Sequence, residues 1–275
     1  MNYYNEYDSA AAQWLRNLIA AGYLPAGDVD ERSIEDVRPA DLAGYVQCHF
    51  FAGIAGWPLA LALAGWPDDR PVWTGSCPCQ PFSAAGSGSG FDDERHLWPA
   101  WQHLIRQCRP AVIFGEQVAS PAALSWLNLV SADLENAGYA VGAADLCAAS
   151  VGAPHIRQRL YWVADTDSER RAWKRLLLRA EEGGRHESKV LEAAGGGSAG
   201  GNGRSSSTTH GGWTDADWLR CRDGKWRPVE PGAFPLADGI PGRMVRLRAY
   251  GNAIVPQVAA EFVRAYLECS SVQRL

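Results

Sequence analysis

Cys79 has the surroundings that point most directly to chemistry in this chain. It lies in residues 75–83, which read GSCPCQPFS, after a short β-like run at residues 71–74. A cysteine between proline and glutamine, after a strand and before a Gly/Ser-rich loop, is typical of an exposed nucleophile rather than of core filling. Because the thiolate is the attacking species, this position predicts covalent catalysis.

Cys77 stands two positions earlier, and a Cys-x-Cys pair can also hold a metal ion. No second Cys or His pair with the spacing usual for zinc accompanies it in the sequence. We therefore expect no metal site, and we interpret Cys77 as a neighbour of the nucleophile.

Glu116 and two arginines supply the polar groups that such a nucleophile needs. Glu116 ends an apolar run and lies 37 positions after Cys79. A carboxyl group in a closed apolar site has a raised pKa, so that it can hold and donate a proton. Arg157 and Arg159 are two positions apart, so on a strand they face the same side. The alternatives are a helix-capping or surface glutamate and ordinary surface ion pairs.

Five segments resemble, in order, those of the cytosine-5 DNA methyltransferases. Gln117 replaces an Asn of the family, and His155 replaces a Gln. The segments are residues 51–56 (FAGIAG, the cofactor loop), 78–83 (PCQPFS, the nucleophile loop), 116–118 (EQV), 155–159 (HIRQR) and 251–256 (GNAIVP). Each is weak evidence alone, but their common order identifies the chain as similar to this family.

The resemblance implies methyl transfer from S-adenosylmethionine to C5 of a cytosine in double-stranded DNA. The Cys79 thiolate would add to C6, and Glu116 would contact the N3 and N4 edge of the base. One of Arg157 and Arg159 would reach the cytosine O2 atom and the other a phosphate or a loop carbonyl. A base inside a duplex cannot enter such a pocket, so the enzyme would flip it out.

Two alternatives stay open. One is a different transfer to C5 with another one-carbon donor, which His49 and Gln117 keep possible. The other is a DNA-binding protein without turnover, against which the retention of Cys79, Glu116 and both arginines argues.

The resemblance also implies a set of cofactor-binding residues. Phe51 would stack on the adenine, and Gly53 and Gly56 would allow the backbone to approach the cofactor after a strand. Asn252 would close the site from the C-terminal segment. His49 stands where the family has an Asp, which leaves one contact near the methionine amine open.

The N-terminus contains the remaining cofactor segments of the family. Only 28 positions separate Phe51 from Cys79, too few for those segments. Residues 4–11 (YNEYDSAA) and 26–29 (AGDV) resemble them. We therefore interpret the chain as permuted, with strands 2 and 3 placed before strand 1; an unrelated extension is the alternative. The residues assigned in this way are Glu6 for the ribose hydroxyls, Tyr7 for stacking and Asp28 for the adenine amine.

The sequence predicts an α/β fold, a Rossmann-like S-adenosylmethionine-dependent methyltransferase sheet with a small target-recognition insert. Strands and helices alternate along the first 165 residues, which favours a parallel sheet covered by helices. The predicted strands are 2–4, 46–51, 71–74, 111–114 and 160–164, and the predicted helices are 10–21, 59–64, 97–106 and 124–137.

We divide the chain into three parts. Residues 1–165 form the catalytic domain, 166–242 a recognition region with a flexible Gly/Ser-rich stretch, and 243–275 a segment that returns to the catalytic domain. Residues 157–248 carry 17 Lys/Arg and 12 Asp/Glu, against 9 and 19 in the remainder. The net charge of −5 is therefore compatible with DNA binding, since phosphates need a basic face and not a basic protein.

The overall composition indicates in which cellular compartment the protein is expected. The 275 residues are 47% hydrophobic and 21% charged, which is ordinary for a soluble protein. Seven cysteines without a regular framework favour reduced thiols, and we see neither a membrane-spanning run nor a signal-peptide pattern. We therefore expect a cytoplasmic protein of a bacterium or a phage-infected cell. Its recognition sequence, oligomeric state and role (restriction partner, orphan methylase or phage self-protection) stay open.

Overall fold

The computed structural model describes residues 1–78, 97–153, 155–166, 217–220, 226–229 and 253–271. The predicted nucleophile Cys79, the predicted cofactor contact Asn252 and the Gly/Ser-rich stretch lie outside the described residues.

The described residues form strands and α-helices in alternation over most of their length. The strands are β1 (Asn2–Asn5), β2 (Gly27–Asp30), β3 (Gln47–Phe50), β4 (Val72–Gly75), β5 (Val112–Val118), β6 (Ala140–Cys147), β7 (Gln158–Asp165), β8 (Asp217–Arg220) and β9 (Trp226–Val229). The helices are α1 (Ser9–Ala20), α2 (Gly56–Ala64), α3 (Trp98–Cys108), α4 (Pro121–Asn136) and α5 (Pro256–Ser271).

Seven of the strands form one mixed sheet in the order β2-β1-β3-β4-β5-β7-β6. The first five are parallel, and β7 lies antiparallel between β5 and β6. Every residue of β1, β3 and β4 is buried, as expected for parallel strands that helices cover on both faces. The predicted Rossmann-like α/β class is confirmed.

The first thirty residues are part of this sheet. Strand β1 is an interior strand, hydrogen-bonded to β2 on one side and to β3 on the other. The N-terminal segment is therefore not an extension outside the catalytic fold. That its position amounts to a permutation of the family's chain order stays a prediction.

The predicted elements of the first 165 residues are found, with ends that shift by a few residues. Strands β6, β8 and β9 and helix α5 were not predicted, and β2 was expected only as one of the two strands that the permuted interpretation places before strand 1. Strand β6, at the edge of the sheet, reads AVGAADLC, in which small and apolar residues with one aspartate give no alternation of apolar and polar positions. Helix α5 lies in the returning segment, which had been characterised only by its similarity to a family motif.

Five buried tryptophans belong to the core on the face of the sheet that α3 and α4 cover: Trp73, Trp98, Trp101, Trp126 and Trp162. Gly75 and Gly115 lie opposite each other in the β4–β5 pairing, and each supports one indole ring. A Cβ atom on Gly75 would overlap Trp101, and one on Gly115 would overlap Trp162. The two glycines therefore let large rings pack directly against the sheet, just before the carboxyl ends of both strands.

The C-terminal segment closes the opposite face. Helix α5 packs on α2, and the Arg264 guanidinium donates to the Leu63 carbonyl at 2.7 Å. The Tyr266 hydroxyl donates to the buried Asp165 carboxylate at 2.5 Å. Among the described residues, no helix combines the length and the apolar character that crossing a membrane requires.

Candidate active site

The candidate site lies at the carboxyl ends of the parallel strands, where open α/β sheets bind their ligands. Strand β4 ends at Gly75 and leads directly into Ser76, Cys77 and Pro78, the last described residue before Cys79. Strand β5 carries Glu116 and Gln117 at the same edge. The topology therefore places the segment that leads to the predicted nucleophile beside the predicted carboxyl group.

Glu116 is held in a buried ion pair. Its side chain is almost fully buried, and Arg159 Nε lies 2.9 Å from Glu116 Oε1. Burial raises the pKa of Glu116, while Arg159 and the Ser76 hydroxyl, which donates to the carboxyl group, oppose that rise. Trp57 Nε1 in turn donates to Ser76 Oγ at 3.1 Å. A carboxyl group in this environment can hold a proton at a higher pH than an exposed glutamate.

The two arginines of the HIRQR segment have different partners. Arg159 faces Glu116, whereas Arg157 Nη2 donates to the backbone carbonyl of Ala253 at 2.7 Å. Burial lowers the pKa of Arg157. Arg157, directly before β7, therefore binds the C-terminal segment at Ala253, whereas Arg159 is the arginine that lies against the predicted acid.

Gln117 and Cys77 form a contact that the sequence could not predict. Cys77 is 2% exposed and packs in the tryptophan-rich core. Gln117 Nε2 donates to the Cys77 carbonyl at 3.1 Å, and Gln117 Oε1 accepts from the Val118 amide at 2.9 Å. The sequence showed Gln117 only as a departure from the family pattern, and nothing in it pointed to Ser76 or Trp57.

A second cluster joins the end of β1 to the loop after β3. Glu6 Oε2 accepts from the Gly53 amide at 2.7 Å, and Glu6 Oε1 accepts from the Asp8 amide at 2.9 Å. Burial raises the pKa of Glu6. Two predicted cofactor residues 47 positions apart are therefore in direct contact.

The glycines of the FAGIAG loop differ in what surrounds them. Gly53 has a φ of +55°, and a Cβ atom there would meet only the Phe51 carbonyl oxygen, at 4.0 Å. Among the described residues, none fills the space next to Gly53. A Cβ atom on Gly56 would lie 2.7 Å from Ile254 Cγ1, so Gly56 is required by packing against the C-terminal segment. Phe51 is half-buried, in edge contact with the Trp101 ring at 5.9 Å between centroids.

Tyr7 and Asp28 are less closely associated with this cluster. Tyr7 is 76% exposed beside Glu6. Asp28 pairs with Tyr3 early in the β1–β2 register, and its Oδ2 atom accepts from the Tyr45 hydroxyl at 2.5 Å. The structure therefore does not bring the Asp28 carboxylate next to Glu6.

Asp30 lies closer than Asp28 to the carboxyl end of β2. It ends β2 opposite Asn5, and its carbonyl accepts from the Glu6 amide at 3.0 Å. The Asp30 carboxylate accepts from the Tyr3 hydroxyl at 2.7 Å and pairs with Arg32 at 2.6 Å. The register of a short strand decides which aspartate reaches the edge, and the sequence motif does not fix that register.

His49 is buried inside the sheet. Its Nδ1 atom lies 2.8 Å from Thr74 Oγ1, and its ring stacks on Tyr4 at 5.1 Å between centroids. Burial lowers the pKa of His49 to about 3, so the ring is neutral near pH 7. A neutral ring thus occupies the position of the family's acid. Among the described residues, no group of three or more His, Cys, Asp or Glu side chains is arranged to hold a metal ion.

A known protein family matches a part of the chain that carries several of these residues. Residues 66–189 match the model of the C-5 cytosine-specific DNA methylase family. The matched segment contains Glu116, both arginines and the Cys79 loop. Over this segment the chain is similar to the C-5 cytosine-specific DNA methylases, in agreement with the resemblance of its motifs.

Curated relatives match the chain over a limited length. It is 34% identical to the type II methyltransferase M.NgoMIV of Neisseria gonorrhoeae over 100 residues, which are 35% of this chain and 32% of that protein. It is 30% identical to M.HhaI of Haemophilus parahaemolyticus over 99 residues, 34% of this chain and 30% of that protein. The chain thus spans about a third of the length of these relatives.

Solved structures of low similarity were also found. One is a variant of Spodoptera frugiperda DNMT2, with a TM-score of 0.38 and 17% identity over 61% of this chain and 50% of that chain. Another is the Entamoeba histolytica methyltransferase EhMeth, with a TM-score of 0.39 and 16% identity over 61% and 53%. The fold assignment rests on the order of the strands and not on these likenesses.

Proposed function

We propose that this protein transfers a methyl group from S-adenosylmethionine to C5 of a cytosine in double-stranded DNA. The observation that supports the proposal best is the buried Glu116–Arg159 pair beside the segment leading to Cys79, within the residues that match the family. A nucleophile next to a carboxyl group with a raised pKa suits addition to a ring that must accept a proton.

The proposed reaction begins with the Cys79 thiolate. It adds to C6 of the cytosine, and the electron pair of the C5–C6 double bond becomes available at C5. Glu116 in its protonated form hydrogen-bonds the N3 edge of the base, where electron density accumulates. After methyl transfer, loss of the C5 proton to a base and departure of the Cys79 thiolate restore the aromatic ring. The step thus splits one difficult substitution into two easier ones.

Arg159 has two tasks in this proposal. In the structure it compensates the charge of Glu116. When a flipped cytosine enters the site, the Arg159 guanidinium can donate to the O2 atom of that cytosine. Arg157 meanwhile keeps the C-terminal segment in place through the Ala253 carbonyl.

S-adenosylmethionine would supply the electrophilic methyl group. The described residues around Gly53 fit such a ligand, since they combine a half-buried carboxylate with an aromatic ring. Glu6 would accept from the ribose hydroxyls and Phe51 would stack on the adenine. Tyr7, Asn252 and Asp28 belong to the proposed set on sequence similarity alone, and the packing role of Gly56 makes it an indirect contributor.

The proposed substrate requires base flipping, because C6 of a paired base is not accessible to a thiolate. Residues 166–242 would form the recognition region, with residues 243–275 returning to the catalytic domain. A cytoplasmic setting in a bacterium or a phage-infected cell agrees with this substrate.

Trapping on a 5-fluorocytosine duplex tests the proposed nucleophile. Fluorine at C5 cannot leave as a proton does, so the covalent complex persists and can be counted on a denaturing gel. With S-adenosylmethionine present, the wild type and Cys77→Ser should form the complex, and Cys79→Ser should form none. Cys77→Ser is a matched control, since it changes a buried thiol in the same segment.

A complex that persists in Cys79→Ser and disappears in Cys77→Ser would reverse the assignment. DNA binding without any covalent complex in the wild type would favour the protein without turnover.

A further inference from the structure

The backbone pairing between β4 and β5 ends at Gly75, four positions before Cys79. The last backbone pair between them joins Gly75 to Gly115. Beyond that pair, the next residues on the two strands are connected through side chains. The Ser76 hydroxyl bonds the Glu116 carboxyl, and the Gln117 amide bonds the Cys77 carbonyl. Side chains of β5 thus hydrogen-bond the two residues that follow β4, beyond the point where backbone pairing of the two strands ends.

The orientation of the Gln117 amide is fixed by its own neighbour. The Val118 backbone N–H donates to Gln117 Oε1 at 2.9 Å, so the oxygen is already assigned and the NH₂ group must face the other way. That NH₂ group lies 3.1 Å from the Cys77 carbonyl. Because Gln117 is 5% exposed, water does not compete effectively for this bond.

The bonded carbonyl belongs to the peptide unit that joins Cys77 to Pro78. A proline has no N–H of its own to donate, so this peptide has the carbonyl as its only hydrogen-bonding group. The orientation of the peptide between Cys77 and Pro78 therefore depends on how that carbonyl is held.

We propose that Gln117 is a positioning residue, which aims the nucleophile loop by holding the Cys77 carbonyl. The proposal rests on the proposed function, because it assigns to Gln117 an effect on the addition of Cys79. The Gln117 side chain is one methylene longer than the Asn that the family has at this position. The proposal therefore includes the length of the side chain, because it sets how far the amide reaches.

Three variants test the proposal. Gln117→Met keeps the length and the apolar stem but loses the donor, and Gln117→Asn keeps the donor on a shorter stem. Gln47→Met is the matched control, because Gln47 is also a buried glutamine of this sheet, 3% exposed, whose amide donates to the Pro67 carbonyl at 3.1 Å. It lies at the opposite, amino end of the parallel strands.

Two measurements distinguish a positioning role of Gln117 from a contribution to folding stability alone. The first is the rate of covalent complex formation on the 5-fluorocytosine duplex, with S-adenosylhomocysteine affinity measured by calorimetry alongside. We expect Gln117→Met to slow the complex by roughly fivefold or more, the value of one net hydrogen bond. Gln117→Asn should recover part of the rate, and Gln47→Met should not slow it. Cofactor affinity should change by less than about twofold in all three variants.

The second measurement is amide hydrogen exchange of the peptide that contains residues 72–82. Loss of the clamp should speed exchange there in Gln117→Met, whereas Gln47→Met should leave it unchanged. A normal rate of covalent complex formation in Gln117→Met, or unchanged exchange in that peptide, would overturn the proposal. If the wild type itself forms no complex, the proposed function fails, and the exchange data alone decide whether Gln117 holds this segment.

Discussion

At the residue scale, the candidate site combines buried ionisable groups whose pKa values are displaced for different reasons. Burial raises the pKa of Glu116, and the neighbouring Arg159 and Ser76 limit that rise. Burial lowers the pKa of His49 to about 3, with no charged partner involved. Burial thus disfavours the charged form of both groups, and at Glu116 the ion pair with Arg159 opposes that effect.

His49 gives a pH-dependent contribution to stability with a defined sign. Its pKa is about 3 in the folded protein against 6.5 for an unperturbed histidine, so the unfolded chain binds the proton more readily. The contribution is therefore fully present above pH 6.5 and is lost as the pH falls towards the folded value. Between about pH 8 and about pH 5, the loss should reach about 2 kcal/mol.

Urea unfolding of His49→Gln at the two pH values checks this expectation. The variant should lose about 2 kcal/mol less than the wild type on acidification. His103→Gln, which replaces an exposed histidine of α3, is the control and should follow the wild type. An identical pH dependence in the wild type and His49→Gln would show that the ring is not held neutral in the fold.

At the scale of elements, the loop after β3 depends on a strand that precedes it in the chain. Glu6 follows β1 and holds the Gly53 amide, and both residues flank the space proposed for the cofactor. The contact between β1 and β3 in the sheet brings them together. An N-terminal strand is thereby made part of the proposed cofactor site.

Replacement of Glu6 by alanine should weaken cofactor binding. It removes a carboxylate that would accept from both ribose hydroxyls, a loss of about 1.5–3 kcal/mol or roughly ten- to a hundredfold in affinity. Calorimetric titration with S-adenosylhomocysteine measures the effect. Glu35→Ala, which removes an exposed carboxylate, should bind like the wild type. Equal affinities for the wild type and Glu6→Ala would mean that the ribose is bound elsewhere.

The sequence predicted the helices and strands more accurately than it predicted the contacts that join them. Strand β5 begins as an apolar run, which made it recognisable, and the burial of both β3 and β5 follows from their interior positions in the sheet. The choice between Asp28 and Asp30 depends on the register of β2, which no residue pattern specifies. The clamp between Gln117 and Cys77 joins residues 40 positions apart, and only the fold brings them together.

At the scale of the whole molecule, one sheet brings distant parts of the chain to a single edge. Its order places β1 and β2 beside β3, and β4 beside β5. The C-terminal segment then locks the arrangement from the other face, with Ile254 packed on Gly56 and Ala253 bonded to Arg157. The proposed cofactor end and the proposed base end of the site are therefore parts of one continuous structure.

The analysis of nucleosides from treated DNA tests the central claim most directly. Unmethylated duplex DNA is incubated with the protein and S-adenosylmethionine, digested and examined by mass spectrometry. We expect 5-methylcytosine to accumulate with time for the wild type and to be absent for Cys79→Ser. DNA without any modified base, or with a modified base other than 5-methylcytosine, would contradict the proposed reaction.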